Sequence, residues 1–260
     1  MTTSPQVPDW LGVLASVLLV GIAVAVSMRA RLGLTRELLW AAARALVQLV
    51  AVGAVLTILF TRAGLVGALL WVSGMVVIAG FVAAGRSRGL PQGRRIAWAA
   101  VGSGTAITVG VLLVVGVIEP VPSVVVPVGG MVVSGAMTAA SLTMRHLVDI
   151  AGSQRHDIEA RLALGLTSEE AMAAHLRRAA TLALVPAIDS TKVVGLIALP
   201  GAMTGLILAG VEPIVAVRYQ IVVMYMLLAA ASVSAIVAAR LTRGALFDDA
   251  DRLFRVTPPT

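Results

Sequence analysis

Leu184-Val-Pro186-Ala-Ile-Asp189-Ser190-Thr191-Lys192-Val-Val-Gly-Leu-Ile-Ala-Leu-Pro200-Gly201 is an apolar run broken by one acid, two hydroxyls and one base. Lys192 is the sole lysine of the chain, and the other nineteen basic residues are arginine. An ammonium at bilayer depth costs about 3 kcal/mol or more, so it needs a partner, a water-filled cavity or a function. Asp189 lies three residues earlier, on the same face if the run is helical.

The surroundings make the bilayer reading the natural one. The chain has 260 residues, of which 59% are hydrophobic and only 13% charged. A soluble domain carries about twice that charge fraction. Apolar segments long enough to cross the hydrocarbon core recur at about 10–28, 38–60, 64–84, 96–118, 122–144, 181–208 and 215–239. The expectation is an all-α integral membrane protein with about seven transmembrane helices, forming a single domain over 1–260. Residues 1–9 carry no basic side chain, and Trp10–Met28 is too long for a secretory h-region, so it reads as the first span.

Arginine placement sets the expected orientation. Arg29, Arg31 and Arg36 fall in one loop, and Arg86, Arg88, Arg94 and Arg95 in another. Arg145, Arg155, Arg161, Arg177 and Arg178 lie in 145–180, and Arg240, Arg243, Arg252 and Arg255 in the tail. These sixteen share one side, whereas the other side has only Arg62 and Arg218. The positive-inside rule places the N-terminus outside and the C-terminus in the cytoplasm. The net charge of +7 is thus accounted for by short loops, with no basic domain for nucleic acid. No cysteine is present, which excludes disulfides and thiolate chemistry. His146, His156 and His175 are spaced like surface histidines and form no metal pattern.

Two spans look broken. The fifth opens with Pro122 and carries Pro127 and Gly129-Gly130. The sixth is about 28 residues long, roughly 42 Å as one helix, which is too long for an upright span. Pro200 and Gly201 mark the expected interruption. Irregular backbone at membrane depth survives only where protein or a water-filled cavity covers it.

Segment 145–180 reads as a helix–turn–helix on the cytoplasmic side. Ser153 is a candidate cap for a first helix through Ile158 and Leu162, with Gly165 ending it. Thr167-Ser-Glu-Glu170 is a capping box that opens a second helix, with Met172 and Leu176 on one face.

Glu159-Ala160-Arg-Leu-Ala-Leu-Gly165 resembles the first half of the EAA loop of ABC-transporter permeases. Arg161 stands where that pattern has a second alanine. His175, Arg177 and Arg178 stand where it has Ile, Leu and Pro. Together with the Asp189–Lys192 run, Leu199-Pro200-Gly201, Glu212-Pro213 and Arg218-Tyr-Gln220, the chain resembles the FetB-like permease family. That is an iron-export ABC permease group that includes plant aluminium-tolerance membrane proteins. The resemblance is strongest over about 145–240. It implies a homodimeric permease in the cell membrane, working with a separate cytoplasmic ATPase. Glu159, Ala160, Gly165, Thr167 and Glu170 would then lie in the element that couples to the ATPase.

A P-loop needs Gly-Lys-Ser/Thr, and the one lysine stands between Thr191 and Val193. The chain is therefore expected to be non-catalytic and without a cofactor, with ATP bound by the partner subunit. Asp189, Ser190, Thr191 and Lys192, with Arg44 and Gln48 one turn apart on the second span, are the candidate pathway residues. The Asp189–Lys192 pair reads equally as a self-neutralising structural ion pair. Arg44 lies roughly 9 Å inside its span, within snorkelling reach of the interface. Met203, Met224 and Met226 read as gap-filling core residues, with soft sulfur ligation as the other reading. Two further functions compete with the ABC permease: a secondary transporter or channel using Asp189 as an ion or proton site, and a non-transporting membrane scaffold.

Overall fold

The computed structural model describes residues 9–62, 64–86, 89–90, 92–248 and 250–254. These residues form helices α1 Trp10–Arg29, α2 Thr35–Arg62, α3 Gly64–Arg86, α4 Gly93–Val114, α5 Pro122–Ser153, α6 Arg155–Ala163, α7 Ser168–Val193, α8 Gly201–Leu208 and α9 Pro213–Leu246. Among the described residues there is no strand beyond two isolated bridges. The protein is an all-α membrane protein. Among the described residues, six helices are long and apolar enough to cross a bilayer: α1, α2, α3, α4, α5 and α9.

The helices gather into two compact units, Met1–Ala63 and Gly64–Thr260. The first unit is a hairpin in which α1 packs on α2. Asp9 caps α1 by accepting the Gly12 amide at 2.8 Å. In the second unit, α5 and α9 pack along each other, α3 and α4 complete the bundle, and α7 lies against both α5 and α9.

Lipid tails are as apolar as leucine, so helices inside a membrane gain little from burial itself. They associate through close van der Waals contact between small residues. The α9 face at Ala216, Val223, Ala230, Ser234 and Ala238 is buried and made of small side chains. It meets α4 at Gly104, where an added Cβ would strike Ser234 Oγ and lie 2.8 Å from the Ala230 carbonyl oxygen.

Span five is not broken. α5 continues for 32 residues through Pro127. That proline forfeits only one backbone bond, close to the helix start. The glycine pair expected to loosen the helix instead admits a neighbour: a Cβ on Gly129 would collide with Val72 of α3. The helix also runs nine residues past the expected boundary at 144, so Ser153 ends α5 rather than capping the next helix. Its hydroxyl donates to the Asp149 carbonyl at 2.7 Å, and α6 begins after Gln154.

The sixth expected span differs most. Residues 181–208 are not a helix of their own. α7 begins at Ser168 and runs 26 residues through Pro186 without a stop. The break starts at Val194, six residues before Pro200. Gly195 takes φ +81°, a left-handed geometry that glycine adopts without strain, and its amide donates to the Ala198 carbonyl at 2.9 Å. Pro200 then serves as the N-cap of α8. The Pro-Gly pair thus closes the interruption expected from the sequence and starts α8.

Candidate functional site

α7 carries both groups of candidate residues, one at each end. The first end is an elbow. α6 stops at Leu164, Gly165 takes φ +90°, and two bonds close the turn. The Gly165 amide donates to the Leu162 carbonyl at 2.9 Å and the Leu166 amide to the Arg161 carbonyl at 3.3 Å. That is the two-bond Schellman closure of a helix end. Thr167 follows at once as the cap of α7. Its hydroxyl accepts the Glu170 amide at 3.3 Å while Glu170 accepts the Thr167 amide at 3.0 Å. The capping box read from the sequence is present. The Thr167 amide and hydroxyl, both donating to the Glu170 carboxylate, hold its pKa below the usual value.

The elbow is tied down on both sides. Arg155 pairs with Glu159 at 2.6 Å and donates to the carbonyls of Leu253 and Phe254 at 3.0 and 3.1 Å. Leu253 and Phe254 are thereby held on α6. Phe247 bridges to Leu253, and Asp248 accepts the Ala250 and Arg252 amides. The Arg252 amide is the main reason the Asp248 pKa lies low. Glu169 reaches Arg243 of α9 at 2.7 Å. Ile158 and Met172 are fully buried beneath. Ala160 is exposed, and Leu164 stands 82% exposed at the tip.

His175 departs from the surface reading. It is buried, with Nε2 3.6 Å from Asp157 Oδ2, beyond hydrogen-bond range. Asp157 spends its charge on Arg161 at 3.1 Å. Burial, reinforced by the Arg161 charge, lowers the His175 pKa, and Asp157 only partly opposes this.

At the other end the four candidates part. Asp189 and Lys192 form an i,i+3 ion pair at 3.7 Å, with side chains 62% and 70% exposed. Ser190 and Thr191 line a cavity of about 640 Å³ between α5, α7 and α9, shared with Ser134, Thr138, Met131 and Met224. Asp189 and Lys192 do not line it. Arg44 and Gln48 are exposed on α2, in the other unit.

Beyond α7, a second cavity of about 450 Å³ is lined by Thr191, Met203, Gln220, Met224, Tyr225 and neighbouring apolar side chains. Gln220 is only 4% exposed, yet neither its Oε1 nor its Nε2 has a hydrogen-bond partner. Leaving such a group unpaired costs about 1–3 kcal/mol. Sequence reasoning named it only within the Arg218-Tyr-Gln220 stretch at the opening of the last span and gave it no role of its own. The available signal was a lone carboxamide between Arg218-Tyr219 and the hydrophobic run Ile221–Leu228. Met226 is buried away from both cavities, as a gap-filling residue would be. Among the described residues, no three His, Asp or Glu side chains cluster to hold a metal ion.

Residues 10–247 match the model of the Uncharacterised protein family (UPF0014). The chain belongs to this family. It is 44% identical over 239 residues to the UPF0014 membrane protein STAR2 of Oryza sativa subsp. japonica, covering 92% of this chain and 84% of that one. It is 38% identical over 227 residues to the probable iron export permease protein FetB of Escherichia coli, covering 87% and 88%. It is 37% identical over 239 residues to the protein ALUMINUM SENSITIVE 3 of Arabidopsis thaliana, covering 92% and 88%. No solved structure matches the chain. The family places this chain among multi-pass membrane proteins, in agreement with its six long apolar helices.

Proposed function

We propose that the chain is the transmembrane permease subunit of an ABC transporter, exporting a metal ion by alternating access driven by a separate ATPase. The observation that carries this reading is the elbow at Gly165. An apolar tip, Leu164, projects from a turn closed by local hydrogen bonds. α7 then runs unbroken from that turn to the cavities. A push on the tip has a rigid path into the membrane, as coupled domain closure requires. Glu159, Ala160, Gly165, Thr167 and Glu170 form or brace this coupling element, which faces the cytoplasm together with the C-terminus.

The Asp189–Lys192 pair supports a homodimer. Ionisable groups at membrane depth face a bundle interior or a water-filled cavity, and within unit Gly64–Thr260 these two side chains are exposed. A second copy across this face encloses them. The metal cargo is drawn from the name of the bacterial relative, a probable iron export permease.

The test is co-expression with a candidate P-loop ATPase, followed by transport in proteoliposomes holding both subunits. Metal efflux should require ATP and stop when the ATPase is omitted. Leu164→Glu should weaken the association at least tenfold while the permease still folds. Transport that proceeds without ATP and collapses with an ion gradient would replace this reading with a secondary transporter.

A further inference from the structure

We infer that the Gln220 cavity is a cation site built wholly from neutral donors, suited to a soft, low-charge metal ion. Its place on the transport pathway rests on the permease reading above. The binding chemistry stands on the side chains alone.

Gln220 comes first. Its amide is buried and unpartnered, and the residue is part of the wall of a cavity large enough for a ligand. Buried amides are almost always paired in folded proteins, so Gln220 keeps hydrogen-bonding capacity to spare beside the cavity, and a small turn of the side chain would bring its oxygen to a bound cation. Met203 of α8 and Met224 of α9 add two thioethers to the same wall. Thr191 and Met224 also line the neighbouring cavity, so the two share a border.

The hydroxyls carry the sign. Thr191 donates its proton to the Ala187 carbonyl at 2.8 Å, and Ser190 donates to the same oxygen at 2.9 Å. Thr138 donates to the Ser134 carbonyl at 3.0 Å. With their protons committed to the helices, Ser190 and Thr138 keep only lone pairs to offer the larger cavity, and Thr191 keeps only lone pairs to offer both. Such a surface attracts cations without bearing formal charge.

The absence of carboxylate and histidine from both linings sets the class. Hard trivalent ions need anionic oxygen, whereas thioethers favour soft ions such as Cu(I). Neutral donors also bind weakly enough to let a transported ion leave.

The test uses the full chain in lipid nanodiscs with ¹³C-methyl methionine, titrated with Ag(I). Met203 and Met224 signals should shift together and saturate at one ion per chain, while Met226 stays still. Met203→Leu, Met224→Leu and Gln220→Leu should each weaken Ag(I) at least tenfold. Gln220→Leu removes an unpaired buried amide, so its thermal unfolding should match or exceed that of the parent, separating lost binding from lost fold. Ga(III) at the same concentration should not displace Ag(I). Shifts at Met226 equal to those at Met203, full affinity in the Met203→Leu/Met224→Leu double variant, or effective competition by Ga(III) would each overturn the site. Saturable Ag(I) binding in a chain that shows no ATPase-driven transport would uphold the site and remove only its place on the pathway.

Discussion

At its start α7 is closed by side chains: Thr167 and Glu170 cap each other, Glu169 holds Arg243, and a two-bond turn joins it to α6. At its end the same helix runs out at Val193 into a turn held by backbone bonds alone, with Leu196 and Ile197 87% and 84% exposed and Gln220 unpaired nearby. One end is fastened by side-chain bonds, with the His175 imidazole left unpaired, and the other leaves exposed apolar groups and a buried amide without such fastening. A lever needs a fixed handle and a responsive tip. The contrast is what the coupling role proposed for α7 asks of a single continuous helix.

The strongest way to break this contrast acts at the responsive end. Asp189→Asn keeps the size of the side chain but leaves the Lys192 charge uncompensated. Transport should be abolished while membrane accumulation and association with the ATPase persist. Normal efflux in the variant would reduce the pair to a structural bridge. At the fixed end, Gly165→Val forces a β-branched residue into a left-handed conformation, at a cost of about 1–2 kcal/mol. Hydrogen exchange should accelerate across 160–170, and ATP-driven efflux should fall with it.

Local signals were the legible ones. The capping box at Thr167–Glu170 and the glycine at Gly165 each depend on a few adjacent residues, and both stand as read. Tertiary context overrode the rest. Gly129 looked like a breaker because its sequence cannot show that Val72 fills the space beside it. Pro127 and Pro186 sit inside continuous helices, each at the loss of one backbone bond. The hydroxyls and the charges of the Asp189–Lys192 run separate because consecutive helical residues point different ways, so adjacency in sequence was no guide to a shared site. Gln220 and Thr191 meet only because α7, α8 and α9 converge.

A milder perturbation of the fixed end tests how much the cap itself contributes. Thr167→Ala removes the hydroxyl that accepts the Glu170 amide and should cost about 1 kcal/mol of helix stability. Exchange should quicken at residues 168–171 and remain unchanged at 186–193. Equal acceleration at both ends would mean that α7 does not separate into a locked and a free end.

The smallest effect belongs to His175, and its sign is fixed by its surroundings. Burial and the Arg161 charge keep its folded pKa below that of the unfolded chain, near 6.5. Above that pH the imidazole is neutral in both states and adds no slope. As pH falls below it, the unfolded chain takes up a proton that the folded chain refuses, so stability declines until the pH passes the folded pKa. Unfolding temperature in nanodiscs should therefore drop between pH 7 and pH 5, and His175→Leu should flatten that decline. The exposed Glu170 carboxylate acts in the same direction but only at lower pH, around and below its unfolded value of 4.5. A decline that survives His175→Leu unchanged would shift the acid sensitivity away from the α6–α7 elbow.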